Sequence, residues 1–232
     1  MSTYLRYANY AHNEFNANAI AFIIIGNDFD QSLTKYKNSP SYHYFSETSD
    51  RLDLIRKDYQ PTLMNQLLRQ SALIRYLVLN MKLNWRSIKN IFSHSAGKVE
   101  KEFVINSRAD FDVECISDSK RVVDRFFEAL PLQTGLRSDK ILFVIDGMRP
   151  PLYNPTTLVE ANGSFFGIMR KYFIEIAMNK GYEVIDMQPI FIKKHKFEGI
   201  RFEFPSDGHW NEAGHILVAE QIKASAVYRA LF

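Results

Sequence analysis

The sequence predicts an α/β domain built on a mostly parallel sheet, and three observations predict it. First, residues 20–25 (IAFIII) and 140–146 (KILFVID) are nearly unbroken apolar runs, the pattern of strands covered on both faces. Second, a third short run, YEVIDM at 182–187, has the same character. Third, stretches with helical spacing separate the three. Right-handed crossovers would make such strands parallel. Ligands then sit at the carboxyl ends of the strands. Gly26-Asn27-Asp28 and Asp146-Gly147 both fall on that edge.

In chain order, Tyr4, Leu5, Ala8, Ala11 and Phe15 recur at helical spacing and predict an amphipathic helix over 3–16. Asn-Ala-Asn ends it, and Ile20–Ile25 comes next as a strand buried on both faces. Residues 34–62 are polar and rich in Tyr, Ser and Asp. Within them, SYHYFS (41–46) and LDLIRKDY (52–59) predict a small antiparallel hairpin outside the main sheet. Leu63–Leu83 reads as a helix with Leu67, Ile74 and Leu77 on its apolar side. Residues 86–116 carry no clean period. Val122–Leu130 reads as a helix capped from Ser117 or Ser119. The strand at 140–146 runs into a proline-rich loop, GMRPPLYNPTT. Phe165–Met178 is a helix closed by Asn-Lys-Gly. Residues 188–206 read as irregular, and Asn211 caps a final helix reaching Tyr228.

The 232 residues, 46% of them hydrophobic, suffice for one large domain, and residues 1–232 read as a single one. Twenty-nine basic residues stand against 26 acidic ones, scattered along the chain, so the net +3 does not point to nucleic acid. The single cysteine, Cys115, excludes an intramolecular disulfide and a Cys-rich metal site. The first residues lack a basic stretch leading into an apolar one, so no signal peptide is read. Ala19–Ile25, the longest apolar run, is too short to span a bilayer. The chain as written is expected to be soluble and cytoplasmic, with no membrane partner.

The densest chemical signal is DGHWNEAGH, residues 207–215. An imidazole acting as general base needs a carboxylate on its other nitrogen. Asp207 and His209, two apart in an Asp-Gly-His turn, supply both groups from one segment, and Gly208 gives the turn its freedom. The plainer alternative is a turn aspartate beside a surface histidine. Asn27, at a strand end, reads as an ordinary turn asparagine or as an amide able to meet a developing oxyanion. Trp210 reads as a pocket wall or a core residue. Asp146 and Arg149 read as substrate-positioning groups or as a structural ion pair. Asp28-Phe-Asp30 has the Asp-x-Asp form of some metal and phosphoryl-transfer sites, but Gln31 and the preceding Gly-Asn do not fit them. His12, His43, His94 and His195 show no ligand spacing. No metal and no cofactor are expected.

With these residues in place, the chain resembles the SGNH (GDSL-like) hydrolases. IIIGNDF resembles that family's third motif block and DGHWNEAGH its fifth, in a form similar to that of polysaccharide O-acetyl-handling proteins. FVIDGMRPPLY resembles a mid-domain strand and loop of bacterial members. The resemblance implies a flavodoxin-like three-layer α/β/α sandwich. It also implies an esterase or acyltransferase acting on a small-molecule or carbohydrate ester. It assigns His209 as base, Asp207 as its orienting carboxylate and Asn27 to the oxyanion hole. Gly26, Asp28, Trp210, Asp146 and Arg149 stand around them.

The family's nucleophile lies in a Gly-Asp-Ser block after its first strand, and a second block adds an oxyanion donor. This chain contains no Gly-Asp-Ser. Neither block is recognised ahead of Ile20, so the fold is expected to lack its first βαβ portion and the nucleophile is unassigned. Ser32, Ser164 and Ser206 lie in loops without the sharp strand-to-helix turn that activates a serine. Loss of the first unit would leave the Ile20–Ile25 strand at an open edge, covered by a partner or by a second copy of the chain. Without that serine, this chain alone is expected to be inactive as the C-terminal portion of such an enzyme; the competing expectation is a catalytically inactive fragment or a binding module that keeps the pocket without the nucleophile.

Overall fold

The computed structural model describes residues 1–48, 51–61, 66, 70–73, 76, 103–104, 107–108, 110–149, 151–205 and 207–231, with Phe103, Val104 and Asp207 described by backbone alone. The expected helix at Leu63–Leu83 therefore falls mostly outside the described residues, as does Ser206. The chain divides into two compact units, Met1–Lys57 with Glu102–Phe232, and Asp58–Lys101. The first unit carries the sheet and the candidate site.

Its centre is a three-stranded parallel sheet made of β1 (Ile20–Ile24), β6 (Ile141–Ile145) and β7 (Glu183–Asp186), in the order β1-β6-β7. All five residues of β6 are buried, as its continuous apolar run requires. Phe22 and Phe143 lie side by side in register and stack with ring centres 5.4 Å apart. Phe143 also meets Phe126 and Phe127 of α2 (Val113–Thr134) and Phe173 of α4 (Phe165–Asn179). These rings form the core of one face. On the other, α5 (Met187–Glu198) packs on β6, with Met187 and Phe191 fully buried.

β1 departs from its expectation. Phe22 and Ile24 are buried, but Ala21 and Ile23 are exposed, Ile23 by 38%. The two exposed residues share a face with Leu142 and Val144 of β6, which are covered. Helices cover the central strand on that face and stop short of the edge. A strand buried on both faces and a half-exposed edge strand carry the same composition, because a sequence does not record which neighbour is missing.

Helix α1 (Ser2–Phe15) and the hairpin of β2 (His43–Thr48) and β3 (Arg51–Arg56) form where expected. A second two-stranded pair, β4 (Phe103–Val104) and β5 (Ser107–Arg108), lies in the stretch without a period. Helix α2 begins earlier than predicted. Its cap is Asp112, whose carboxylate accepts from the Cys115 amide at 2.7 Å, and not Ser117 or Ser119. Two helices went unpredicted. Asn154 caps α3 (Pro155–Gly163), which has proline at its first position. Asp186 caps α5, which ends at Gly199 with φ 69°, and Pro189 sits in its first turn, where no intrahelical donor is lost. Helix α6 (Glu212–Ala224) is capped by Asn211 as predicted, but stops at Ser225, which caps a short α7 (Ala226–Arg229). Asp207-Gly208-His209 is not a turn. It lies in the strand β9 (Asp207–Trp210), paired antiparallel with β8 (Glu203–Phe204).

Candidate active site at the carboxyl edge of the sheet

Each parallel strand leads into an aspartate that ties down the adjoining segment. At the end of β7, Asp186 accepts from Arg170 through both carboxylate oxygens and caps α5 at the Gln188 amide. After β6, Asp146 accepts from both terminal nitrogens of Arg149, from the Gly147 amide at 2.7 Å and from the Trp210 indole N–H at 2.8 Å. After β1, Asp28 folds back on its own strand. Its Oδ2 accepts from the Ile25 amide at 2.8 Å and lies 3.0 Å from the Tyr4 hydroxyl. Burial raises the Asp28 carboxyl above the ordinary carboxylate range.

The Asp146–Arg149 pair places β9. Arg149 is 1% exposed and lies between the rings of Phe191 and Trp210. It donates to the Gly208 carbonyl at 3.0 Å, one residue before His209. A planar guanidinium with several fixed donors suits this work better than an ammonium would. Asp146 and Arg149 thus form an ion pair, and Trp210, half-buried, packs against the core and is bound to that pair through its indole N–H. The Asp146 amide in turn donates to the Ile24 carbonyl, which holds the end of β6 beside the end of β1. His209 is exposed on β9. The Asp207 side chain lies outside the described residues, so the expected Asp207–His209 pair is not among the contacts described.

Gly26, Asn27 and Asp28 form a short 3-10 turn in which Gly26 is buried. Asn27 lines a cavity of about 270 Å³ together with Tyr4 and Tyr7 of α1, Gln31, Lys37 and Tyr42 among others. His209, Arg149 and Trp210 do not line it. The structure thus brings Asp146, Arg149, Gly208 and Trp210 into one cluster, and puts Asn27 in a neighbouring cavity on the hairpin side. Gln31, Lys37 and Tyr42 were not anticipated, because a lone lysine or glutamine in a polar loop carries no spacing signal.

Two of the serines considered as nucleophiles are engaged elsewhere. The Ser32 hydroxyl donates to the Asp28 carbonyl at 2.7 Å, and the Ser164 hydroxyl to the Ala161 carbonyl at 2.7 Å, while Ser164 also caps α4. Among the described residues no group of three or more His, Cys, Asp and Glu side chains could hold a metal ion, and no helix is long and apolar enough to cross a membrane.

No family model matches the chain, and no curated protein or solved structure matches it.

Proposed function

We propose that the protein processes esters, as a hydrolase or acyltransferase of SGNH type. In this reading the three-stranded sheet is part of a flavodoxin-like sandwich. His209 is the general base, Asp207 orients it, and Asn27 donates to the oxyanion. The single observation that carries the proposal is the seating of β9. A buried arginine, a tryptophan N–H and an aspartate at the end of the central strand hold the backbone beside His209 at the edge where α/β sheets bind ligands. A surface histidine with no task does not call for such an anchor.

One observation favours a second reading, a module without its own nucleophile. Ser32 and Ser164, two of the three serines considered as nucleophiles, spend their hydroxyls on backbone carbonyls. Acyl transfer to an added alcohol separates the two. With p-nitrophenyl acetate as donor and glycerol as acceptor, a glycerol hydroxyl attacks the acetyl carbon. His209 takes its proton, and p-nitrophenolate leaves. Glycerol-dependent release of p-nitrophenolate is expected, falling by about 100-fold or more in His209→Ala. Release that exceeds buffer without glycerol, and is lost in the same variant, would identify a resident nucleophile at this site. Release that His209→Ala leaves unchanged would remove the site from the chemistry.

A further inference from the structure

The cavity beside Asn27 has a chemical bias of its own. Its polar lining is rich in donors. Lys37 is half-buried and gives one proton to the Gln31 side-chain oxygen at 2.7 Å, which leaves two. That bond turns the Gln31 carboxamide so that its NH₂ group remains as a donor. The Asn27 side chain makes no hydrogen bond to a described residue. Among the described residues Lys37 has no carboxylate within ion-pair distance, and its ammonium lies 5.5 Å from the centre of the Tyr42 ring. The negative group facing this cluster is Asp28, whose Oδ2 is already engaged by the Ile25 amide and the Tyr4 hydroxyl. Unused capacity in the cavity is therefore cationic and donating. Tyr7 and Tyr42, exposed by 66% and 48%, add flat apolar walls at its mouth.

We propose that this cavity binds a small oxygen-rich acid, a carboxylate or phosphate carried on a compact polar body, with Lys37 on the anion and Gln31 and Asn27 on its neighbouring oxygens. Two free lysine protons and two amides match an anion flanked by hydroxyls, and the tyrosine rings match the flat side of a ring. The volume of about 270 Å³ lies just under the range of drug-sized sites, which fits a single ring. The inference rests on the ester reading in one respect only, that Asn27 also meets the substrate. It names the charged part of that substrate as the feature the site selects.

The test is binding, measured by calorimetry or amide chemical shifts. D-glucuronate is the acidic probe, D-glucose its uncharged counterpart and inorganic phosphate the bare anion. Glucuronate is expected to bind saturably and glucose about tenfold more weakly or not at all. Lys37→Gln is expected to weaken glucuronate by about tenfold without changing the melting temperature, and Asn27→Ala to weaken it less. Phosphate that competes with glucuronate would assign the contact to charge alone. Phosphate that fails to compete would assign it to a carboxylate on a ring. The proposal falls if glucose binds as tightly as glucuronate, if Lys37→Gln binds normally, or if neither anion saturates by about 20 mM. His209→Ala keeps the two readings apart. Anion binding without His209-dependent acyl transfer would sink only the ester reading, and acyl transfer without anion binding only this one.

Discussion

At the scale of single residues, Asp30 is a buried carboxylate left without hydrogen bonds among the described residues. It is fully buried, neither carboxylate oxygen has a hydrogen-bond partner, and Arg108 approaches only to 3.6 Å. Burial raises its carboxyl above the ordinary range. The folded state therefore holds this proton more tightly than the unfolded chain does. Its contribution to stability is complete below the unfolded value of about 3.9 and is lost as pH rises through the raised folded value. Asp30→Asn removes that loss. The variant is expected to be more stable than the parent by roughly 1–3 kcal/mol at about pH 8, with the difference shrinking toward about pH 4. Urea unfolding at both pH values checks this, and a difference that does not vary with pH would refute it. Asp28 and Asp30 looked alike in the sequence. Only burial and partners tell them apart, one satisfied by its own strand and Tyr4, the other not.

At the scale of elements, short polar residues at helix starts organise the site. Asn211 accepts from the Gly214 amide at 3.0 Å, and its own NH₂ donates to the carbonyls of Arg201 and Glu203. One side chain thus caps α6 and fastens the approach to β8, next to the strand that carries His209. Asn211→Ala is expected to cost about 1–2 kcal/mol, read from the shift in urea midpoint. A loss within about 0.3 kcal/mol would show that water replaces all three bonds. This cap was legible in the sequence, because Asn before Glu-Ala-Gly is a local signal. The caps of α3 and α5 were equally local, Asn154-Pro155 and Asp186, yet both helices went unread. Helix α3 offers few apolar residues, and in α5 the helical spacing of Met187, Ile190 and Phe191 is broken by Pro189 and followed by the polar run Lys193–Lys196, so too short a stretch remained for periodicity to show.

At the scale of the whole molecule, stability is concentrated in the ring cluster around β6. Phe143 is fully buried and touches Phe22, Phe126, Phe127, Phe173 and Tyr182, so it joins the sheet to two helices. Phe143→Ala is expected to cost about 3–5 kcal/mol, measured by urea or thermal unfolding. A cost below about 1.5 kcal/mol would mean that the surrounding rings close the space. Among the described residues, two groups protect the edge of β1 at its carboxyl end. There the Tyr4 hydroxyl lies 3.0 Å from the Ile23 carbonyl and Asp28 accepts from the Ile25 amide. Such plugging of exposed backbone groups blunts an edge against pairing.

The parallel strands, the hairpin and the cap of the last helix were legible in the sequence, because each is written in neighbouring residues. Composition of a strand, spacing of a helix and the chemistry of a cap are local properties. Tertiary structure alone decided which face of β1 is bare, that Asp-Gly-His is a strand and not a turn, that Asp146 and Arg149 anchor that strand, and that Lys37 and Gln31 share a cavity with Asn27. Those facts depend on groups far apart in the chain, such as Arg149 on the Gly208 carbonyl. Distance along the chain hides what distance in space makes decisive, since charge and hydrogen bonding act only between groups the fold has brought together.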